Sequence, residues 1–272
     1  MISKQVFLVV GTDTGVGKTV FTGLFARYLM DAGVGVRAVK PFCSGGMEDV
    51  VFLKAAHGAG LGQADLNFWY CEEPISPAAA ELRLGQAVDF EGAINWINSL
   101  RSAVFRHQEG LSGQVAVGSR QGGLQSAGGV RQAGVLLVEG VGGLLAPLAK
   151  GKTVASLGQA LGAQLIVVAP NRVGVINQVL LTVEAAAERG LEVACVVLMG
   201  QKVPDDSVSE NADLICQNLP EMTGFKGVIE FPYLGPDASD PSLIPVHTNK
   251  AGKVLCQGAE LLALSGPSGA GD

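Results

Sequence analysis

Residues 6 to 19, VFLVVGTDTGVGKT, decide the fold of this chain. A short apolar run, Val6 to Val10, leads into a Gly-rich turn that ends in Gly-Lys-Thr. A strand followed by such a turn and a helix points backbone N–H groups and a helix N-terminus at one spot, which makes an anion site. The stretch therefore predicts a phosphate-binding loop. Its spacing is unusual, because five residues rather than four separate Gly11 from Gly17.

Outward from this stretch, apolar runs and helix-like segments alternate along the chain. The runs are continuous rather than alternating, which is typical of parallel strands covered on both faces. They lie at 6–10, 34–39, 135–138, 165–168 and 193–198, and helix-like segments lie at 19–31 and 175–189. The fold class predicted is α/β, a doubly wound, mostly parallel sheet with helices on both faces, as in P-loop NTPases.

The chain's length and composition predict a single domain. It has 272 residues, of which 48% are hydrophobic and 6% aromatic, with 38 glycines, which suits an α/β protein with many strand-to-helix turns. We assign residues 1–264 to one P-loop domain. A Gly-, Ser- and Gln-rich stretch near 109–134 is expected to be a flexible insertion, and residues 265–272 a disordered tail.

Charge and hydropathy exclude several classes of function. A net charge of −6 and a pI near 5.1 argue against a nucleic-acid partner, which demands clustered Lys and Arg. No run approaches the ~18 apolar residues of a spanning helix, so no membrane partner is expected. No secretory signal is recognised and the five scattered cysteines suggest reduced thiols, so we expect a cytoplasmic protein.

Candidate site residues follow the loop and the ends of neighbouring strands. Lys18 is expected to bridge the β- and γ-phosphates of a nucleotide, and the Thr19 hydroxyl to bind Mg²⁺. Ligands of open α/β sheets lie beyond the carboxyl ends of the strands. Glu139, at the end of a buried strand, needs a cation or metal partner, and Mg²⁺ would supply it.

Two further candidates have an ordinary structural interpretation beside the functional one. Lys40 ends the second strand and would project into the site, but a lysine at a strand end is often a solvated surface charge. Asp49, shortly after Ser44, would be a second Mg²⁺ carboxylate or merely an acid that stabilises a helix N-terminus. The three histidines have no partner at ligand spacing and are expected to be structural or exposed.

Five motifs in order resemble the dethiobiotin synthetase family of ATP-dependent ligases. They cover residues 11–19, 40–46, 72–80, 138–148 and 173–177, with sequences GTDTGVGKT, KPFCSGG, EEPISPAAA, VEGVGGLLAPL and VGVIN. The family's loop has the same five-residue spacing. The resemblance implies that ATP, CO2 or bicarbonate, and diaminopelargonate are the substrates. A carbamate of the diamine is phosphorylated by ATP, and the second amine then closes the ureido ring.

The resemblance also assigns roles by motif position. It implies that Thr14, Lys18, Lys40 and Ser44 serve catalysis, with Thr14 and Lys40 near the carbamate and Ser44 touching the substrate. Thr19, Asp49 and Glu139 would hold Mg²⁺. The nucleotide would contact Gly15, Val16, Gly17, Lys18, Thr19, Val20 and Pro232. In a homodimer, the turn of Gly174, Val175, Ile176 and Asn177 would close over the substrate tail bound mainly by the other subunit.

The base end of the nucleotide site departs from the family pattern. Met199 or Gly200 stands where an adenine-reading Asn is usual, so relaxed nucleotide choice is a hypothesis. The alternatives to the ligase are a ParA/MinD-like switch ATPase, the synthetase half of a cobyrinate-type amidotransferase and an inactive homologue. Asp13 occupies the place of the switch ATPases' signature lysine, the chain ends before a glutaminase domain, and Lys18, Lys40 and Glu139 are all present.

Overall fold

A six-stranded sheet organises the protein, for which a computed structural model describes residues 5–110, 134–219 and 224–264. Its strand order is β10-β9-β8-β1-β5-β2 and every neighbouring pair is parallel. The strands of this sheet are β1 (Gln5–Gly11), β2 (Gly35–Val39), β5 (Gly134–Gly143), β8 (Gln164–Pro170), β9 (Val193–Met199) and β10 (Val228–Phe231). Two small ribbons pair β3 (Phe42–Ser44) with β4 (Trp69–Cys71), and β6 (Pro147–Ala149) with β7 (Lys152–Thr153).

Helices connect these strands on both faces of the sheet, so the predicted fold class is confirmed. Their bounds are α1 (Lys18–Asp31), α2 (Glu48–His57), α3 (Pro77–Leu84), α4 (Phe90–Gly110), α5 (Val154–Leu161), α6 (Val175–Ala187), α7 (Val208–Asn218), α8 (Ile244–Lys250) and α9 (Gly252–Leu261). Each expected strand and helix-like segment lies within two residues of an observed element at both ends, except the run 135–138, because β5 continues five residues further, to Gly143. Parallel connections of this kind need crossover helices, which explains the alternation in the sequence.

Alternation along the strands produces two cores, one on each face of the sheet. In β1, Val6, Leu8 and Val10 pack with residues of α3 to α7, whereas Phe7 and Val9 pack with α1, α2, α8 and α9. All five side chains are buried, which is why the strand sequence is continuously apolar. The neighbouring interior strands β1 and β5 are therefore fixed from both sides, and their carboxyl ends are rigid platforms.

The stretch predicted to be an insertion lies almost wholly outside the described residues. Its first two residues, 109 and 110, end α4, and residue 134 begins β5. Residues 111–133, like the predicted tail at 265–272, are not described. Within the described ranges, no helix combines the length and apolar character that crossing a membrane requires.

Candidate active site

The candidate site is a cleft of about 370 Å³ beyond the carboxyl ends of β1, β2 and β5. This is the edge at which ligands of open α/β sheets bind. Ten residues predicted from the sequence line it: Thr14, Gly15, Gly17, Lys18, Thr19, Val20, Lys40, Ser44, Asp49 and Glu139. The sequence motifs are therefore brought together although, for example, 120 residues separate Thr19 from Glu139.

Gly17 ends the phosphate-binding loop and caps α1. Its φ of 98° lies in the left-handed region, and a Cβ there would approach Met199 Cε at 2.9 Å. At the start of the loop, a Cβ on Gly11 would meet the Asp13 carbonyl oxygen at 2.4 Å and Lys18 Nζ at 2.8 Å. Both positions require glycine, because the loop folds tightly over its own lysine. The N-terminus of α1 is thereby aimed into the cleft, where it favours anions.

The long spacing of the loop brings Thr14 next to the end of β5. A Cβ built on Gly142 would lie 3.6 Å from Thr14 Oγ1, and Gly142 itself has a φ of 61°. Thr14 is exposed and lines the cleft. The additional residue thus puts a hydroxyl at the end of β5, the strand that carries Glu139.

Lys18 is folded back onto the loop and buried. Its Nζ donates to the Asp13 carbonyl oxygen at 2.9 Å, and only 7% of the residue is exposed. Burial lowers the pKa of Lys18 from its ordinary value, although the Glu139 charge acts in the opposite direction. Among the described residues a backbone carbonyl is the one hydrogen-bond partner of the Lys18 ammonium, and such a buried cation attracts an anion strongly, because little water screens it.

Lys40 and Glu139 form a buried ion pair at the floor of the cleft. Lys40 Nζ donates to Glu139 Oε1 at 2.8 Å and also contacts Asp49 Oδ2. The Thr19 hydroxyl donates to the same Glu139 oxygen at 2.7 Å. Lys40 is 6% exposed and Glu139 1%, so Lys40 is not a solvated surface lysine. The backbone fixes its position, since Lys40 N–H donates to Leu66 O at 2.8 Å.

The charges of this cluster stabilise one another. Burial alone would lower the pKa of Lys40, but Glu139 and then Asp49 outweigh it and raise that pKa above its ordinary value. Burial alone would raise the pKa of Asp49, but the Lys40 charge and the hydrogen bond from Lys40 lower it. Asp49 also lies in the first turn of α2, as the helix-capping interpretation expects, while its role as a Mg²⁺ ligand stays a prediction.

The donor set of the cluster fits Mg²⁺. Thr19, Asp49 and Glu139 offer a hydroxyl and two carboxylates, and Glu139 Oε2 is buried without a hydrogen-bond partner. Mg²⁺ prefers such hard oxygen ligands, usually one or two carboxylates with phosphate oxygens and water. The described residues contain no group of three or more His, Cys, Asp or Glu side chains that could hold a metal. The phosphates of a nucleotide would therefore have to complete the coordination.

Three residues of the cleft were missed from the sequence as site residues. Val141 and Gly142 lie directly after Glu139 in the VEGVGG motif, so their position was a usable signal. Ser239 comes from the loop that follows β10, and no motif marks it. Val16, by contrast, was predicted as a nucleotide contact, but its side chain is buried in the core and does not line the cleft.

The base end of the site has a backbone geometry that excludes a side chain at position 200. A Cβ on Gly200 would lie 2.6 Å from Tyr233 N, and Gly200 N–H donates to Phe231 O at 2.7 Å. Met199 instead covers Gly17 of the loop, and the Gln201 amide donates to the Met199 carbonyl at 2.6 Å. Pro232 follows β10 and is not among the residues that line the cleft.

The turn at 174–177 lies apart from the cleft, at the start of α6. Gly174 and Asn177 are exposed, and Ile176 is half-buried. The Val175 side chain is fully buried, and its N–H donates to Arg172 O at 3.1 Å. Among the described residues, none accepts a hydrogen bond from the N–H groups of Ile176 and Asn177.

Comparison with known proteins decides the family. A family model described as an AAA domain matches residues 5–235. The chain is 31% identical over 232 residues to the ATP-dependent dethiobiotin synthetase BioD of Chlorobaculum tepidum, with 83% of this chain and 85% of that protein covered. The chain belongs to the dethiobiotin synthetase family. Against BioD of Bacillus licheniformis, the identity is 29% over 249 residues, 89% of each chain. The family resemblance and the enzyme class, an ATP-dependent ligase that forms C–N bonds, are confirmed.

A solved structure outside the dethiobiotin synthetase family supports the fold. The MinC:MinD cell division protein complex of Aquifex aeolicus aligns with a TM-score of 0.50 and 13% identity, over 97% of this chain and 98% of that one. At this identity the likeness concerns the P-loop fold alone. It carries no inference about a switch function.

Proposed function

We propose that the chain is a dethiobiotin synthase that closes the ureido ring of dethiobiotin from diaminopelargonate, CO2 and Mg-ATP. The observation that carries the proposal is the meeting of Lys18, Thr19, Lys40, Asp49 and Glu139 in one cleft. Two buried cations beside two carboxylates suit a reaction between two anions, a carbamate and a triphosphate. Phosphoryl transfer depends mainly on such positioning and charge stabilisation.

The phosphate-binding loop would hold the triphosphate of ATP. The N–H groups of the loop and the N-terminus of α1 face the phosphates, and Lys18 leaves the Asp13 carbonyl to contact the β- and γ-phosphates. Thr19, Asp49 and Glu139 would hold Mg²⁺, which supplies charge neutralisation on the phosphates when bound. Glu139 would contribute Oε2, the oxygen that accepts no hydrogen bond from the described residues.

Thr14 and Lys40 would hold the carbamate opposite the γ-phosphate, and Ser44 would contact the same substrate. Thr14 stands at the end of β5, while Ser44 and Lys40 enter from β3 and the end of β2. A carbamate oxygen attacks phosphorus and ADP leaves. The second amine then attacks the carbamate carbon, phosphate leaves with that oxygen, and the ring is closed. Lys40 stabilises the negative charge during both steps.

A homodimer would complete the site through the turn at 174–177. The unpaired N–H groups of Ile176 and Asn177 suit the tail carboxylate of diaminopelargonate, since a helix N-terminus favours anions. The turn lies outside the cleft of its own subunit, which agrees with use by a neighbouring subunit. Relaxed choice of nucleotide base remains part of this proposal, because position 200 has no side chain to read the base.

The test measures phosphate release with ATP, Mg²⁺ and bicarbonate, with and without diaminopelargonate. We expect release that depends on the diamine and is lost in Lys40→Ala. Lys54→Ala, an exposed lysine on α2, is the matched control and should retain wild-type release. Diamine-independent release would support a switch ATPase, and no release would support an inactive homologue. Competition by other nucleotides tests base choice, and strict preference for ATP would exclude relaxed specificity.

A further inference from the structure

A polar network joins the turn before α6 to the segment before α7. Asp205 Oδ2 accepts from Val173 N–H at 2.8 Å, across 32 residues of sequence. Asp205 Oδ1 accepts from the backbone N–H of Ser207 at 3.0 Å and from its hydroxyl at 2.5 Å. Both oxygens of one exposed carboxylate are thus occupied by the protein itself.

The same network continues inward to the phosphate-binding loop. Asn211 Nδ2 donates to Ser207 Oγ at 3.1 Å and to Asn171 Oδ1 at 2.8 Å. Asn171 N–H in turn donates to the Met199 carbonyl at 2.8 Å, and the Met199 side chain lies against Gly17. Asn171 and Asn211 are 3% and 2% exposed, so their amide pair is shielded from water. A buried hydrogen bond between two amides favours a single local geometry.

Hydrogen bonds rather than packing hold the turn itself: besides the bond from Val173, Val175 N–H donates to Arg172 O at 3.1 Å and Gln178 N–H to Gly174 O at 3.2 Å. Residues 172–174 are all exposed, Val173 at 71%, and Gly174 has a φ of 91°. A segment without buried side chains keeps its conformation only through its hydrogen bonds, because its ordering entropy is not offset by packing. The hydrogen bonds from Ser207, followed by that from Val173, also lower the pKa of Asp205, so it is charged at neutral pH.

We propose that Asp205 is a positioning residue, which holds the 171–174 turn so that the N-terminus of α6 presents the Ile176 and Asn177 N–H groups to the substrate's tail carboxylate. Asp205 acts through the backbone of Val173 and does not touch the substrate. The inference rests on the proposed function. It adds that the turn that binds the tail carboxylate is connected to the phosphate-binding loop through Asn211, Asn171 and Met199.

The experiment compares Asp205→Ala with Asp206→Asn in the full-length protein. Asp206 is adjacent and exposed, and no hydrogen bond or ion pair joins it to another described residue, so its variant is the matched control. For Asp205→Ala we expect KM for diaminopelargonate to rise about five- to tenfold, the effect of one well-placed hydrogen bond. The kcat and KM for ATP should stay within twofold of wild type.

A substrate without the tail charge separates positioning from general damage. With the methyl ester of diaminopelargonate, Asp205→Ala and wild type should have the same KM within twofold, since the carboxylate that the turn binds is gone. Hydrogen exchange at the Val173 amide should be faster in Asp205→Ala than in Asp206→Asn. Asp205→Asn, which keeps one acceptor oxygen, should show a smaller rise in KM than Asp205→Ala.

Three results would overturn the inference. An unchanged KM for diaminopelargonate in Asp205→Ala contradicts it directly. Equal increases in KM for the acid, the methyl ester and ATP indicate a structural role only. If the wild-type protein has no diamine-dependent turnover, the proposed function is rejected and this inference with it. If the wild type is active but Asp205→Ala has an unchanged KM for diaminopelargonate, this inference alone is rejected.

Discussion

Replacing Lys40 by Met should destabilise the protein strongly, because it leaves the Glu139 carboxylate buried without its main cation. The Glu139 side chain is 0% exposed and the Lys40 side chain 8%, with Nζ 2.8 Å from Oε1. Removing one partner of a buried ion pair costs about 3–5 kcal/mol. Two features reduce this cost. Lys18 also interacts with Glu139, and Asp49, which loses the same partner, is 42% exposed and remains in contact with water. We therefore expect a decrease of about 3 kcal/mol, the lower end of that range.

Urea unfolding without nucleotide or metal measures this decrease. The midpoint should fall in Lys40→Met with the slope unchanged, since the unfolded surface is the same. The double variant Lys40→Met/Glu139→Gln should regain much of the stability, because it no longer buries an uncompensated charge. Lys54→Met, an exposed position, should stay within about 0.5 kcal/mol of wild type. A loss below about 1 kcal/mol in Lys40→Met, or a double variant no more stable than the single one, would refute the reasoning.

Three further changes test the loop, the proposed metal ligand Thr19 and a half-buried histidine. Gly17→Ala should weaken ATP binding at least tenfold in equilibrium titration, because its φ is 98° and a Cβ meets Met199; wild-type affinity would contradict the strained geometry. Thr19→Val should remove the Mg²⁺ dependence of ATP affinity while leaving metal-free affinity within threefold, and an unchanged dependence would exclude Thr19 as a ligand. His57 accepts from Ala38 N–H through Nε2 at 3.0 Å, and burial lowers its pKa below 6.5. Its stabilising contribution is therefore complete above pH 6.5 and is lost as the pH falls below that value. The free energy of unfolding between pH 7.5 and 5.5 should drop less in His57→Phe than in wild type, and equal drops would show that another group is responsible.

Much of the sheet and the phosphate-binding loop could be predicted because local sequence determines them. Continuous apolar runs identify doubly covered strands, and the Gly-Lys-Thr turn after β1 identifies the anion site. Strand ends of a parallel sheet lie on one edge, so Lys40 and Glu139 could be expected near each other. The structure decides what the sequence left open for Lys40, because it is buried against two carboxylates rather than solvated.

Contacts that depend on long-range packing could not be predicted. Ser239 reaches the cleft from a loop after β10 that has no motif, and Val16 turns its side chain into the core. Asp205 lies in an exposed segment where composition gives no signal, and its long-range partner, the Val173 amide, comes within reach only in the folded chain. The roles implied for residues 174–177 and for a dimer stay predictions, because they concern a second subunit.

The most direct measurement follows the oxygen that leaves with phosphate. The protein is mixed with ATP, Mg²⁺, diaminopelargonate and freshly added [¹⁸O]bicarbonate in ordinary water, and the reaction is stopped before the label exchanges with solvent. Ring closure through a phosphorylated carbamate predicts one ¹⁸O atom in the released phosphate, because a carbamate oxygen forms the bond to phosphorus. Phosphate without the label would mean that water attacked ATP, and would contradict the ligase account.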